Sequence, residues 1–359
     1  MSLPLNGIHV VDFSALLPGP LATLMLAEAG AHVVKIEKPG GDDMKRFLPF
    51  LDSQGAAYRL LNRSKTVREL DLKSKQGRDE AIDLARDADI VVEQFRPGVM
   101  DRLGLGYREL RAVNERLIYC SITGYGQAGP RAGEAGHDLN YLGNTGLLAQ
   151  SWGSAGYPAL PPAQIADIGG GSFPAVINIL LALIRRERTG EGCHLDIAMC
   201  DAMFTFGLFA QALAVSGCPM EEGGTGLLTG GSPRYNIYPA RCGTPICVGA
   251  LEEHFWQCLC DTLGIDGEER NDLADPAGVR RRVAEAFLTR TAAEWAPTLH
   301  QADCCATVLR SFEQAMDDPH FRDRGLFDQE LDGVTGLVPA LPVPVSPLFR
   351  NPSDCGDAS

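Results

Sequence analysis

The chain has no surplus of positive charge. Its 359 residues carry 32 Lys and Arg against 46 Asp and Glu, a net charge of −14. That balance argues against nucleic acid or an anionic membrane as its partner. It also lacks a Cys-x-x-Cys. The eleven cysteines are odd in number and scattered, with Cys258/Cys260 and Cys304/Cys305 too close for ordinary bridges. This argues against a metal site built on zinc and fits reduced, mostly buried thiols in a cytoplasm. No secretory leader is evident, since Met1-Ser2-Leu3-Pro4-Leu5 has no charged region ahead of an apolar run. The longest apolar run, Phe173–Ile184, contains Asn178 and falls short of the roughly 20 residues a bilayer span needs. The terminal Gly356-Asp357-Ala358-Ser359 is not a peroxisomal address. There is no internal repeat and no low-complexity tract. What remains is an ordinary globular composition, 45% apolar and 22% charged, long enough for one large domain and a smaller one.

Periodicity gives the outline. Gly7–Phe13 reads as a buried strand, Leu21–Ala29 as a helix stopped by Gly30, and Ala31–Ile36 as a second buried strand. Ile90-Val91-Val92 and Leu117–Ile122 supply further parallel strands, so the fold class is α/β and doubly wound. Glu37 closes the second strand where a ribose-binding acid would sit in a dinucleotide fold. The first turn, Leu17-Pro18-Gly19-Pro20, has no Gly-x-Gly-x-x-Gly, and its prolines remove N–H groups a pyrophosphate needs. A nicotinamide site is therefore a poor reading, and Glu37 is expected to be solvated or paired. Phe173–Arg188 reads as a strong helix with a basic end and Gly190 as its stop. His194–Ala198 reads as a strand and Met203–Val215 as an apolar helix. Helices Glu253–Leu263, Pro276–Leu288 and Thr291–His300 suggest a compact second domain, and Pro339–Pro352 an extended tail. The expected division is a large domain of 1–190 plus 326–359, a linker at 191–224 and a small domain at 225–325.

The chemistry is concentrated in two motifs. Gly136-His137-Asp138-Leu139-Asn140-Tyr141-Leu142 sets a histidine beside a carboxylate between glycine-containing turns. Further on, Ile165-Ala166-Asp167-Ile168-Gly169-Gly170-Gly171 places a carboxylate at a glycine-rich turn that opens an apolar helix. Around them, in register, stand Gly7-Ile8-His9-Val10-Val11-Asp12-Phe13-Ser14, Lys38-Pro39-Gly40-Gly41-Asp42-Asp43 and Phe95-Arg96-Pro97-Gly98-Val99-Met100-Asp101-Arg102. Ser121-Ile122-Thr123-Gly124-Tyr125-Gly126-Gln127 and Arg188-Thr189-Gly190-Glu191-Gly192 complete the series. Together these resemble the class III CoA-transferase and alpha-methylacyl-CoA racemase family, and Gly-His-Asp-x-Asn-Tyr-Leu resembles its racemase branch.

The resemblance implies a Rossmann-like large domain, a smaller second domain and an interlocked homodimer acting on acyl-CoA. CoA would enter as part of the substrate, with no separate cofactor. CoA-binding positions carry over onto Lys38, Leu70, Asp71, Leu72, Lys73, Gln94, Phe95, Arg96 and Arg102, and onto Gly136, His137, Asp138, Leu139, Asn140 and Tyr141. Fixed cations suit the phosphates of CoA, arginine above all, and the stretch from Lys35 to Arg102 is locally basic. His137 and Asp167 would be the two acid/base groups that racemisation needs on opposite faces of the alpha carbon. Gly169, Gly170 and Gly171 would offer N–H groups to the enolate oxygen, and Glu252 would orient the histidine. Without the motif, a loop histidine is a polar loop residue and an aspartate before a helix is an N-cap.

One departure stands out. Racemases of this family commonly carry an asparagine four residues before the aspartate, where this chain has Ala163, followed by Gln164. The acyl group is thereby left open. Two other readings compete with racemisation: a CoA transferase in which Asp167 is the nucleophile, and a silent CoA-binding subunit. His137, in a position where the family's transferases usually lack histidine, favours the racemase.

Overall fold

The apolar runs after Gly7 and Gly30 form two strands, β1 (His9–Asp12) and β2 (His32–Glu37), buried over almost their whole length. The computed structural model describes residues 2–51, 54–152, 156–221, 223–333 and 336–350. Four more strands complete a parallel sheet: β3 (Lys65–Glu69), β4 (Ile90–Glu93), β5 (Ile118–Thr123) and β6 (Cys193–Ala198). Their order is β3-β2-β1-β4-β5-β6, with every pairing parallel. Winding therefore reverses between β1 and β4. Loops leaving the C-terminal ends of those two strands diverge and open a crevice, the usual ligand position in such a sheet.

Helices cover both faces, as a sheet of this kind requires. On one side Val11, Val34, Val91 and Tyr119 pack with Ala81, Ala85 and Leu110. Those three come from α2 (Lys75–Arg86) and α3 (Tyr107–Val113). On the other side lies α1 (Pro18–Glu28), which packs on the long helix that follows Ser172 and on the sheet. Helix α1 starts at Pro18, earlier than its periodicity suggests, because proline at the first helical positions gives up an N–H that has no intrahelical partner. A short helix, α4 (Asp138–Asn144), and a π-helical turn, Ala166–Ser172, precede α5 (Phe173–Thr189). By length and apolarity alone, Ala166–Thr189 is long enough to cross a membrane. Here α5 buries Ala175, Ile179 and Ala182, and its buried Arg186 pairs with Asp89 at 2.8 Å.

Several early cations are structural. Lys35 is fully buried, 3.1 Å from Asp42, and donates to Ser14 O at 2.7 Å. Lys65 is buried against Asp12, Thr23 and Asn62. Arg63 pairs with Glu28 and donates to Leu341 O, tying the tail to this unit. Glu37 is buried rather than solvated, taking hydrogen bonds of 2.6 Å from both Lys45 and Tyr58.

The chain divides differently from the sequence expectation. One unit comprises 1–145, 161–207 and 319–359; the other comprises 146–160 and 208–318. The stretch 191–224 is not simply a linker: it supplies the sheet-edge strand β6 and the helices Asp201–Phe206 and Leu208–Val215. Within the expected 326–359 segment, residues 334, 335 and 351–359 lie outside the described residues. The second unit has an antiparallel sheet of β7 (Tyr235–Pro239), β8 (Pro245–Gly249) and β9 (Ala306–Val308). Helices α6 (Glu253–Leu263), α7 (Pro276–Phe287) and α8 (Ala292–Ala302) cover it around Trp256, Phe287 and Trp295.

Candidate active site

The crevice at the reversal point is a cavity of about 390 Å³. Leu16 and Pro18 reach it from the end of β1, and Gln94, Phe95, Arg96 and Pro97 from the end of β4. Thr123, Gly124 and Tyr125 come from the end of β5, and Gly136, His137, Asn140, Tyr141, Asp167 and Met199 close it. Phe95 is shared with a neighbouring cavity of about 570 Å³. That second cavity is lined by Lys38, Leu70, Asp71, Leu72 and Lys73 among others.

The histidine motif is held by its own glycines and tyrosine. His137 is exposed at the start of α4, and its backbone N–H donates to Asn140 Oδ1 at 3.0 Å. Tyr141 is buried, and its hydroxyl donates to Gly136 O at 2.6 Å. Its ring lies so close to Gly124 and Gly136 that a Cβ at either would come within 2.6 Å of it. The glycine-histidine spacing therefore fits a tyrosine wedge.

Asp138 ties the two motifs together. One of its carboxylate oxygens, Oδ1, accepts from Ala166 N at 2.6 Å and from Asp167 N at 3.0 Å. It thus caps the start of the π-helical turn and fixes Asp167 beside the histidine segment. Burial, with the Asp138 charge adding to it, pushes the Asp167 carboxyl up from 3.8 to about 6, against the pull of His137. That value suits proton transfer near neutral pH.

The glycines are used otherwise than expected. Gly169, Gly170 and Gly171 lie inside the π-helical turn, where N–H groups point along the axis toward preceding carbonyls. Any side chain at Gly170 would collide with Met199 O. None of the three lines the cavity. They allow close packing against Met199 and Phe206, away from the lining of this cavity.

The remaining expected residues divide clearly. Gln94, Phe95, Arg96, Gly136, His137, Asn140, Tyr141 and Asp167 line the first cavity; Lys38, Leu70, Asp71, Leu72 and Lys73 line the second. Lys38 already pairs with Asp43 at 2.8 Å. Asp138, Leu139, Arg102, Ala163 and Gln164 line neither cavity, and Arg102 is exposed. Glu252 belongs to the second unit, exposed at the N-cap of α6. Leu16, Pro18, Thr123, Tyr125 and Met199 also line the first cavity, outside the residues to which the motifs assign a role. Their signal was positional, since most sit where strands β1 and β5 end. Glu93, beneath Gln94, is likewise new: burial pushes its carboxyl up to about 7, although Ser121 and the Phe95 N–H at 2.8 Å favour its charged form.

Comparison with known proteins is consistent over the whole chain. The family model described as CoA-transferase family III matches residues 5–351. Human alpha-methylacyl-CoA racemase is 33% identical over 365 residues, covering 99% of this chain and 91% of that protein. Acetyl-CoA:oxalate CoA-transferase of Acetobacter aceti is 31% identical, covering 96% of this chain and 89% of that protein. A crystal structure of a CAIB/BAIF family protein from Brucella suis superposes with a TM-score of 0.83 at 29% identity, covering 96% and 93% of the two chains.

Proposed function

We propose, from the premise that this chain belongs to CoA-transferase family III, that it is an alpha-methylacyl-CoA racemase. The family places the chain among enzymes that handle CoA esters; the reaction itself is our reading. The observation that carries it is the meeting of His137 and Asp167 on one cavity, with Asp138 bonded to the backbone of Asp167. The thioester would lie between the two side chains. One removes the alpha proton, the C–H pair moves into a C=C bond as the carbonyl becomes an enolate, and the other returns a proton to the opposite face. CoA enters as part of the substrate, and this chemistry calls for no separate cofactor.

In the same reading, Phe95 marks where CoA passes from the second cavity to the first. Lys38 and Lys73 would face its phosphates and Arg96 the segment nearer the thioester. Glu252 is proposed to orient the catalytic histidine, and the active form to be a homodimer.

The test is incubation of each 2-methylacyl-CoA epimer in D₂O, followed by NMR. Epimer interconversion with alpha deuteration, without any acceptor acid, is expected. His137→Ala should abolish interconversion while leaving slow exchange from the face Asp167 serves. Rapid CoA exchange between two free acids, with hydroxylamine trapping an enzyme-bound CoA thioester, would instead make Asp167 a nucleophile and reject the racemase.

A further inference from the structure

With the three glycines off the cavity wall, the enolate oxygen still needs a donor. Thr123 ends β5 and is only 6% exposed, yet its hydroxyl has no hydrogen-bond partner among the described residues. Four other buried side-chain atoms among the described residues share that condition: Asp42 Oδ2, Gln127 Nε2, Arg186 Nε and Arg270 Nε. None of their residues lines the cavity that holds His137 and Asp167; Thr123 does. Its backbone is fully committed, with Thr123 O accepting from Met199 N at 2.8 Å and its strand paired to Ala198 on β6. Thr123 is thus a rigidly carried, hydroxyl-bearing residue on the wall of that cavity.

A buried hydroxyl without a partner destabilises the fold, because its lost hydration is not replaced. Such a group calls for an explanation in a native fold, and a ligand atom is the simplest one beside an active-site cavity. The bound molecule offers few acceptors at the depth where His137 and Asp167 act. Among them, the thioester oxygen is the one whose negative charge grows during proton removal.

We propose that the Thr123 hydroxyl donates a hydrogen bond to the thioester carbonyl oxygen and strengthens it as that oxygen becomes the enolate. This rests on the racemase reading of the site. No proton leaves Thr123 in the step. The alpha C–H bond breaks toward His137 or Asp167, its electron pair forms the C=C bond, and the carbonyl pair moves onto oxygen. Reprotonation at carbon restores the thioester with nothing oxidised or reduced. A donor of this kind contributes where charge develops and not in ground-state binding.

Thr123→Val keeps the shape and removes the hydroxyl; Thr123→Ser keeps the hydroxyl. Alpha-deuterium exchange with a 2-methylacyl-CoA is measured for wild type and both variants, alongside thermal unfolding. Wild-type exchange establishes the reaction first; its absence would reject the racemase reading and this assignment with it. With exchange present, Thr123→Val should lower kcat by about 10²-fold with little change in KM, and should unfold at the same or a higher temperature. Thr123→Ser should recover most of the rate. Unchanged kcat in Thr123→Val, or a rise in KM alone, would overturn the assignment. A parallel loss of stability and rate in Thr123→Val that Thr123→Ser does not repair would make the residue merely structural. If Thr123→Val does not fold, Thr123→Ala is read against Thr123→Ser by the same criteria.

Discussion

Burial and the neighbouring Asp138 raise the Asp167 carboxyl to about 6, and that has two consequences of opposite sign. A carboxyl whose folded pKa lies above its unfolded value stabilises the fold below about pH 4. That contribution is lost as pH rises through 6, so above it the ionised group is a cost. The shift from 3.8 to about 6 sets a ceiling near 3 kcal/mol, and partial exposure reduces it to about 1–2 kcal/mol. Asp167→Asn should therefore abolish racemisation while raising the melting temperature at pH 8, with the gain fading toward pH 5. Calorimetry at both values checks this. The rate should also fall below about pH 6, equally in both directions, because the two directions use proton arrangements of the same total charge. A profile flat from pH 5 to 8 would remove Asp167 as an acid/base group. Arg96 and Arg102 make a second contrast at this scale. Arg96 lines the cavity and Arg102 lines neither, so Arg96→Ala should weaken acyl-CoA binding more, with a loss that shrinks as salt rises. Equal losses from Arg102→Ala in titrations at low ionic strength would erase that distinction.

Between residues and the molecule stand the segments that bring them together. The buried strands were legible because Val10, Val11, Val33, Val34, Ile90, Val91 and Val92 make short apolar runs, as interior parallel strands do. Strand β3 was not legible. Lys65-Thr66-Val67-Arg68-Glu69 is an edge strand, exposed over most of its length, and nothing in its polarity separates it from a loop. The motifs themselves were readable, and His137 and Asp167 do line one cavity. The state of Gly169–Gly171 was not: a glycine run reads as a loop, and only the contact with Met199 O shows why a tight turn needs it. Nor could sequence show that Asp138 caps the backbone N–H groups of Ala166 and Asp167, some thirty residues further along the chain. That role predicts the behaviour of Asp138→Ala. Losing two cap bonds should cost about 1 kcal/mol of stability, while the rate should fall by a larger factor because Asp167 loses its fixed place. Asp138→Asn keeps the accepting oxygen and should recover most of both. Equal rates for the alanine and asparagine variants, measured by deuterium exchange, would show that the cap does not position Asp167.

At the scale of the molecule, α5 presents two unlike faces. Ala175, Ile179, Ala182 and Arg186 face inward, whereas Phe173, Ile177, Leu180, Leu181 and Ile184 form an apolar stripe left exposed. Phe204, Phe206, Leu208 and Phe209 are exposed as well. Isolated apolar residues at a surface are ordinary, but a continuous stripe with aromatic residues is the mark of an interface. A second copy of the chain is the occupant that the proposed homodimer requires. Light scattering should therefore give twice the chain mass of 38.6 kDa. Ile177→Lys with Leu181→Lys should reduce that mass and lower the melting temperature, because a stability shared between subunits depends on their association. If the dimer is also interlocked, tagged and untagged proteins mixed in the native state should not exchange subunits, since each chain would have to unfold to leave. Rapid exchange would leave a dimer but not an interlocked one. A wild-type monomer that is fully active would reject both, and the apolar stripe would then have to be covered by something other than this chain.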